Sequence, residues 1–292
     1  MYALEPSSTL RIALQKSGRL TEKSIALLEQ AGMKFDSYKG HMIVPVQNFD
    51  IELLLIRDDD IPEYVQDAVC DIGFVGANVT VEKQADVEVI RNLGYGRCRL
   101  SVAVPKNGDL KSAADLNGRR IATSYPNLTR KYFEDNGMSV DIVTISGAVE
   151  IAPRLGVADA VCDLVSTGGT LKSNGLVESD VIFESECQLI KTNRPLSPEK
   201  QDLIEKFLVR IGGCQLAERS RYIMMNAPKK SLKEITSVIS ALSSPTVLPL
   251  ENEDMIAIHS VIPIQEFWDV MERLKKAGAT GIVILPIENM IM

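Results

Sequence analysis

The stretch VCDLVSTGGTLKSNGL, residues 161–176, contains the residue types best suited to binding a phosphate. Its apolar run ends in Ser166, Thr167, Gly168, Gly169 and Thr170. Glycines let the backbone approach an anion closely, and successive N–H groups and hydroxyls can donate hydrogen bonds to phosphate oxygens. The spacing is not that of a P-loop, because the chain has no GxxxxGK[ST] pattern. Three hydroxyls around paired glycines favour a phosphate loop over the alternative, a plain turn between a strand and a helix.

Three carboxylates are further candidates for ligand contacts. Asp163 lies inside the apolar run, where an unpaired carboxylate is costly. It either binds the surrounding backbone or reaches ribose hydroxyls or a Mg²⁺ ion. Glu150 falls in the first turn of a predicted helix, where a carboxylate is favourable in any case. Asp71 repeats the position of Asp163 in a second AVCD segment and leaves the same alternatives open.

Cationic and aromatic candidates follow other predicted strands. Lys16, Gly18 and Arg19 belong to a KSGR loop that offers two cations and a close-approach glycine at a helix start, or else is an ordinary exposed loop. Arg57 precedes three aspartates and is either an anion contact or a salt-bridge partner. Tyr125 either stacks on a base or packs within its loop.

Composition excludes several classes of protein. The net charge of −7 and the pI near 5.1 argue against nucleic-acid and anionic-membrane partners, but not against a phosphorylated small molecule. Five cysteines without a CxxC pair predict reduced thiols, and two histidines make a His-rich metal site unlikely. No signal-peptide pattern and no apolar run of about 18–20 residues is seen, so we expect a soluble, cytoplasmic protein. No Ser-His-Asp or Cys-His set can be assembled.

The elements that must position these residues alternate between strands and helices. We predict strands at LRIALQ, IELLLI, the segment ending at Gly76, RRIATS, VDIVTI and AVCDLV, with helices between them, including one over 148–155 and one near Ile61 capped by an aspartate. This order predicts parallel βαβ units. Ligands bind beyond the carboxyl ends of such strands. The loops that follow the strands are therefore expected to face one cleft: KSGR, RDDD, GAN, SYPN, SGAVE and STGGT.

The segments AVCDIGFVGA and AVCDLVSTGG resemble each other, by duplication or by coincidence within two βαβ units. They fit two similar α/β lobes, with strands at 97–105 and 186–193 crossing between them. The last segment reads β-α-β-β-α-β, with its first helix expected over 231–242, and this is the ferredoxin-like order. We predict a first lobe of residues 1–100 and 186–221, a second lobe of residues 101–185, and a small third domain of residues 222–292.

Several segments together resemble one enzyme family. They are LRIALQKSGRL, IRDDDIP, CRLSVA, GRRIATSYPNL, SGAVEIAPRLGVADAVCDLVSTGGTLKSNGL, RYIMMNAP and GATGIVILPIE. With these, the chain resembles the long-form ATP phosphoribosyltransferase of histidine biosynthesis over nearly its whole length. The resemblance implies two lobes of the periplasmic-binding-protein type (type II) and a ferredoxin-like regulatory domain. Its implied reaction joins ATP to phosphoribosyl pyrophosphate (PRPP) with Mg²⁺, giving phosphoribosyl-ATP and pyrophosphate.

The resemblance also implies roles for residues. Ser166 to Thr170 would hold the 5′-phosphate of PRPP, and Glu150 and Asp163 would lie near its ribose. Contacts to ATP and pyrophosphate would come from Lys16, Gly18, Arg19, Arg57, Asp71 and Tyr125. Feedback inhibition by histidine would involve Asn226 and Thr246, expected at matching strand ends. Some members of the family have alanine at the position of Gly169. Dimers that assemble into hexamers are also implied.

Two alternative interpretations stay open, one for the whole protein and one for its third domain. A two-lobed protein of this kind can bind a phosphorylated small molecule or act as a sensor without catalysis. The third domain can also serve only as an assembly interface.

Overall fold

The computed structural model describes residues 8–239 and 244–291 and contains three β-sheets in that part of the chain. The strands are β1 (Leu10–Gln15), β2 (Ile43–Pro45), β3 (Ile51–Ile56), β4 (Ile72–Gly76), β5 (Val87–Asn92), β6 (Cys98–Pro105), β7 (Arg120–Thr123), β8 (Asp141–Thr144), β9 (Ala160–Val165), β10 (Leu176–Ser185), β11 (Cys187–Thr192), β12 (Ser220–Pro228), β13 (Thr246–Pro249), β14 (Met255–Pro263) and β15 (Thr280–Pro286). The α-helices are α1 (Thr21–Gln30), α2 (Ile61–Gln66), α3 (Ala77–Glu82), α4 (Pro126–Asp135), α5 (Gly169–Ser173), α6 (Pro198–Glu218), α7 (Leu232–Val238) and α8 (Phe267–Lys276).

The chain divides into two compact units. One consists of Met1–Ile25 and Lys34–Gln201, and the other of Ala26–Met33 and Asp202–Met292. The first unit holds two of the sheets and the second unit holds the third sheet. The predicted boundaries at residues 100, 185 and 221 stay predictions.

The first sheet has the order β2-β3-β1-β4-β11-β5. β1 pairs in parallel with β3 and β4, while β11 runs antiparallel to β4 and β5. Its central strands are apolar along almost their whole length because both faces of a parallel sheet are covered. Ile12, Leu14, Leu53 and Ile72 are accordingly buried.

The second sheet has the order β10-β6-β9-β7-β8 and repeats the plan of the first. β7 pairs in parallel with β8 and β9, and β6 runs antiparallel to β9. The chain enters this sheet after β5 and returns to the first sheet at β11. This is the predicted fold, two α/β lobes of the periplasmic-binding-protein type joined by two crossings.

The two lobes contain a repeated structural detail that corrects the sequence comparison. The N–H of Asp71 donates to the carbonyl of Arg11, and the Asp71 Oδ2 accepts the Arg11 N–H at 2.8 Å. In the second lobe, Asp159 makes the same two contacts with Arg120, its Oδ2 accepting the N–H at 2.8 Å. Asp71 is therefore equivalent to Asp159 and not to Asp163. The prediction that the AVCD segments align residue for residue is wrong by four positions.

The third sheet has the order β13-β14-β12-β15, and each neighbouring pair is antiparallel. Its buried face contains Ile223, Met225 and Ile258, which cluster with Ile235 of α7 and Leu274 of α8. With α7 after β12 and α8 after β14, this is the predicted ferredoxin-like arrangement.

Three local predictions differ from the structure. The helix expected over 148–155 is a single 3₁₀ turn at Val149–Ile151. No aspartate side chain caps α2; Asp60 makes no such hydrogen bond, and Pro62 instead suits the first turn. The helix expected over 231–242 is observed as Leu232–Val238, and residues 240–243 lie outside the described residues.

No helix within the described ranges, 8–239 and 244–291, is long and apolar enough to cross a membrane.

Candidate active site

The STGGT loop begins where β9 leaves the core of the second lobe. Val165 is buried, whereas Ser166 and Thr167 are exposed. Gly168 has a φ of +78° and precedes α5, so the chain turns through a left-handed conformation that favours glycine. Gly169 has no such φ, and a Cβ added there would meet only the Thr167 Oγ1 at 3.8 Å. The backbone conformation therefore requires a glycine at Gly168 but not at Gly169.

Glu150 and Asp163 are brought close together beside this loop. Asp163 is half-buried, and one of its oxygens accepts the N–H of Leu164 at 2.7 Å. Burial raises the pKa of the Asp163 carboxyl, and the nearby negative charge of Glu150 raises it further. Glu150, in the 3₁₀ turn after β8, and Asp163, within β9, thus place two neighbouring carboxylates near the STGGT loop.

Arg19 connects the loops after β1 and β9. Its Nη1 donates to the Ser166 Oγ at 3.0 Å, and its Nη2 donates to the Cys98 Sγ at 2.8 Å. The KSGR loop of the first lobe and the STGGT loop of the second lobe are thus in direct contact, 147 residues apart in the sequence.

The other KSGR residues line a separate cavity of about 330 Å³ in the first lobe. Gly18 has a φ of +141°, and a Cβ at this position would come within 2.6 Å of the Gln15 side chain. The cavity is lined by Lys16, Ser17, Gly18, Thr21, Glu22, Tyr38, Lys39, Gly40 and His41. Lys39 and His41 were not expected here, because the loop that contains them shows no motif.

Asp58 is a residue that the sequence analysis missed as a site candidate. It follows Arg57 directly after β3, and Arg57 is exposed. The Asp58 Oδ1 is buried and has no hydrogen-bond partner in the described part of the chain. Burial, together with the charge of Asp59, raises the pKa of Asp58 to about 6, and the nearby Arg19 guanidinium opposes the shift. The only signal in the sequence was its place after a strand.

Tyr125 faces the first lobe across the cleft. Its phenolic oxygen accepts a hydrogen bond from the Asn78 Nδ2 at 3.1 Å. Burial raises the pKa of this phenol, and the nearby charges of Asp59, Asp163 and Asp58 raise it too. Residues from the RDDD and GAN loops and from β9 therefore meet around Tyr125 of the SYPN loop.

A cavity of about 600 Å³ lies next to the STGGT loop. Arg99 forms an ion pair with Glu178 there, and the Arg99 contact lowers the pKa of the Glu178 carboxyl. The Arg99 Nη1 also approaches the Ser166 carbonyl at 3.5 Å. The cavity is lined by Ala77, Asn92, Arg97, Cys98, Arg99, Ser166, Glu184, Ser185, Glu186 and Gln188.

Asp71 does not belong to this cleft. It precedes β4, level with Arg11 at the start of β1, whereas the KSGR loop follows the last residue of β1. At about 3.3 Å per residue, that places it more than 10 Å from the ligand-facing end of the sheet. Both Asp71 oxygens accept hydrogen bonds from the Lys200 Nζ at 2.9 Å. These contacts favour the structural alternative for Asp71, and its predicted contact with ATP or pyrophosphate stays a prediction.

The two residues expected to bind histidine are not at matching strand ends. Thr246 is the first residue of β13 and lies opposite His259, whereas Asn226 lies near the end of β12, opposite Ala257. Thr246 lines a cavity of about 150 Å³ together with Tyr222 and His259. The Tyr222 hydroxyl lies 2.6 Å from the His259 Nδ1.

Comparison with known proteins decides between catalysis and simple binding. The profile of the family described as ATP phosphoribosyltransferase matches residues 57–213, and that of the HisG C-terminal domain matches residues 217–289. The chain belongs to the ATP phosphoribosyltransferase family. Because the C-terminal domain is present, it is of the long form.

Individual relatives agree. An ATP phosphoribosyltransferase of Cytophaga hutchinsonii is 46% identical over 98% of this chain and 99% of its own length. One from Phocaeicola vulgatus is 46% identical over 97% of this chain and all of its own length. The solved ATP phosphoribosyl transferase (HisG:HisZ) complex from Thermotoga maritima matches with a TM-score of 0.60 and 30% identity, over 70% of this chain and 99% of that chain.

ATP phosphoribosyltransferases are glycosyltransferases of histidine biosynthesis, so the enzyme class and the pathway predicted from the resemblance are confirmed. The alternative of a non-catalytic binding protein is set aside. Among the described residues, no group of three or more His, Cys, Asp or Glu side chains is arranged to hold a metal ion.

Proposed function

We propose that the cleft between the two lobes binds PRPP on the second lobe and ATP on the first. Ser166, Thr167 and Thr170 would hold the 5′-phosphate, with Gly168 allowing close approach. Glu150 and Asp163 would contact the ribose. The observation that supports this arrangement best is the hydrogen bond between Arg19 and Ser166, because it joins the two loops assigned to the two substrates.

The ATP side of the proposal relies on the first-lobe loops. Lys16 and Gly18 line the 330 Å³ cavity, where Lys39 adds positive charge for a triphosphate and His41 adds an imidazole that can donate a hydrogen bond. Arg57 is exposed beside Asp58 and is available to the same ligand. Tyr125 would contact the adenine ring at the point where the two lobes meet.

The proposed reaction is a displacement at the ribose. Adenine N1 forms a bond to ribose C1 while the bond from C1 to the pyrophosphate oxygen breaks, and the electron pair leaves with pyrophosphate. Positive charge develops on the ribose in the transition state, and the neighbouring Glu150 and Asp163 carboxylates would stabilise it. Since no covalent intermediate is required, catalysis comes from positioning and electrostatics.

Magnesium is the proposed metal. Mg²⁺ prefers oxygen ligands and is often bound by one or two carboxylates together with substrate phosphates. Glu150 and Asp163 fit that requirement without a third protein ligand. The ion would neutralise charge on the leaving pyrophosphate.

Histidine is the proposed inhibitor, and its contact would involve Thr246 in the 150 Å³ cavity. The cavity contains hydroxyls and one imidazole, groups that can pair with an amino acid. Asn226 does not line this cavity, and its contact with histidine stays a prediction. Homo-oligomerisation, from dimers to hexamers, stays a prediction that sedimentation velocity can test.

The test is pyrophosphate release from ATP and PRPP with Mg²⁺, with the next enzyme of the pathway present to remove the product. We expect release to require both substrates. Arg19→Met should lower kcat/KM by about 100-fold, because a misplaced binding loop can have an effect of that size. The matched control is Arg119→Met, since Arg119 is exposed just before β7, at the opposite end of the sheet from the STGGT loop.

Two results would contradict the proposal. Equal activity of the Arg19 and Arg119 variants would contradict a role in catalysis for the contact between the KSGR and STGGT loops. Absence of release by the unaltered enzyme would remove the catalytic assignment itself.

A further inference from the structure

The N-terminus of α4 lacks a cap from its own sequence. Helices usually begin at Ser, Thr, Asp or Asn, whose side chains accept the free N–H groups of the first turn. Here the N-cap position is Tyr125, whose side chain makes no such bond, and it is followed by Pro126. The helix that follows the SYPN loop therefore needs an acceptor from elsewhere.

That acceptor is Glu82, the last residue of α3 in the first lobe. Its Oε1 accepts the N–H of Asn127 and its Oε2 accepts the N–H of Leu128, both at 2.9 Å. The Asn127 Nδ2 donates in return to the Glu82 carbonyl at 2.9 Å. Pro126 has no N–H, and the N–H of Thr129 already donates to the Tyr125 carbonyl. One carboxylate from the other lobe thus completes the first turn.

Glu82 is only 8% exposed, which is unusual for a glutamate in a soluble protein. A buried carboxylate is tolerated when both oxygens are hydrogen-bonded, and a negative charge is favourable at a helix N-terminus. The burial is explained by the contact with α4.

Asn78 stands four residues earlier on the same face of α3. It is 2% exposed; its Nδ2 donates to the Tyr125 hydroxyl at 3.1 Å, and its Oδ1 accepts from the Ser185 Oγ at 2.7 Å. Ser185 ends β10 of the second lobe. One face of α3 therefore contacts the SYPN loop, the start of α4 and the end of β10.

We propose that Glu82 is a positioning residue for the transferase reaction. By capping α4 from the first lobe, it fixes Tyr125 relative to the KSGR and RDDD loops that would receive ATP. Because Glu82 supplies the cap, the chain can have Tyr125 and Pro126 at the cleft instead of a capping residue. This inference rests on the proposed assignment of Tyr125 to ATP.

The experiment compares Glu82→Gln with Glu134→Gln. The side-chain amide introduced by the first substitution would keep one acceptor but turn an NH₂ group towards an N–H donor. Glu134 is exposed on α4, so its substitution changes the charge of the same helix without affecting the cap. We expect Glu82→Gln to raise the KM for ATP about 10-fold with less than about 3-fold change in the KM for PRPP. The control should match the unaltered enzyme.

Amide hydrogen exchange provides a readout that does not depend on activity. The N–H groups of Asn127 and Leu128 should exchange faster in Glu82→Gln and not in Glu134→Gln. Unchanged exchange would overturn the capping. Faster exchange with unchanged KM values, measured well below the melting temperature, would overturn the positioning role. Inactivity of the unaltered enzyme would instead refute the proposed function, and the exchange result would still stand.

If Glu82→Gln does not fold, Glu82→Asp is the second variant. Its shorter side chain keeps the negative charge but draws the carboxylate back from the N–H groups of Asn127 and Leu128. The same faster exchange and the same selective rise in the KM for ATP are expected, and unchanged exchange or unchanged KM values would contradict the proposal.

Discussion

Among single residues of the cleft, Asp58 is a carboxyl whose ionised form is destabilised by its surroundings. Its Oδ1 is buried without a partner in the described residues, and its pKa is raised to about 6 by burial and by Asp59. A carboxyl with a raised pKa binds its proton more tightly in the folded state than in the unfolded state. Its ionisation therefore destabilises the fold as the pH rises from about 4 to about 6.

Asp58→Asn should accordingly stabilise the protein at pH 8 more than at pH 5. The expected gain in unfolding free energy at pH 8 is on the order of 3 kcal/mol, because the pKa rises from 3.8 to about 6 and each pKa unit corresponds to about 1.4 kcal/mol. Urea denaturation of both proteins at the two pH values measures it. Asp60→Asn is the control, and an equal gain at both pH values would contradict the raised pKa.

The paired glycines of the STGGT loop allow a matched comparison. Gly168→Ala forces a Cβ into a left-handed conformation and should cost about 1–2 kcal/mol, with a raised KM for PRPP. Gly169→Ala should leave stability and KM nearly unchanged, because the backbone there is ordinary and the site has room. Thermal melts and steady-state kinetics check both. Equal effects of the two substitutions would show that the turn differs from the one described.

At the scale of elements, the start of β4 is fixed by a buried ion pair. The side chains of Lys200 and Asp71 are 14% and 5% exposed, and their closest atoms are 2.9 Å apart. The equivalent Asp159 in the second lobe makes the same backbone contacts at the start of β9. Because these backbone contacts occur in both lobes, they belong to the start of the strand rather than to the ligand site.

Lys200→Met should lower the unfolding free energy by about 3–5 kcal/mol, because it leaves the Asp71 carboxylate buried without its partner. The KM values should not change, since neither residue reaches the cleft. Denaturant titration and steady-state kinetics would measure the two effects. Lys206→Met is the control, because its ion pair with Asp202 is exposed. A 10-fold rise in the KM for ATP in Lys200→Met would restore a ligand role for Asp71.

At the scale of the whole molecule, the proposed inhibition by histidine should depend on the ferredoxin-like unit alone. Tyr222→Phe removes the hydroxyl that lies 2.6 Å from the His259 Nδ1. The loss of one hydrogen bond should raise the histidine concentration for half-inhibition about 5-fold, since such a bond contributes about 1 kcal/mol. Activity without histidine should not change. Dose–response curves measure this, and an unchanged curve would remove the cavity from the inhibitor site.

The strands and the loops after them could be predicted from the sequence for a physical reason. Buried parallel strands are continuous apolar runs, and the polar groups at their carboxyl ends must lie at one edge of a sheet. The positions of Ser166, Arg19 and Tyr125 follow from that rule. The short turn at Val149–Ile151 did not follow, because its apolar and charged residues also fit a helix.

Contacts between distant segments could not be predicted. Glu82 and Leu128 are 46 residues apart, and an isolated glutamate at the end of a helix is usually exposed. The correct equivalent of Asp71 was likewise hidden in the sequence. Residues 68–71 (AVCD) are identical to residues 160–163 (AVCD), whereas they match the structurally equivalent residues 156–159 (GVAD) only at the valine and the aspartate. Only strand register distinguishes them.

The sequence by itself determined the alternation of strands and helices, the ferredoxin-like end and the family, because these depend on local apolar patterns and on motifs. The tertiary structure alone decided which polar groups meet. It brought Arg19 into contact with Ser166 and buried Asp58. It also paired Asp71 with Lys200 and placed Glu82 at the N-terminus of α4. Burial and pairing belong to the packed arrangement of distant segments, and that arrangement sets the charge of each carboxylate and its access to a ligand.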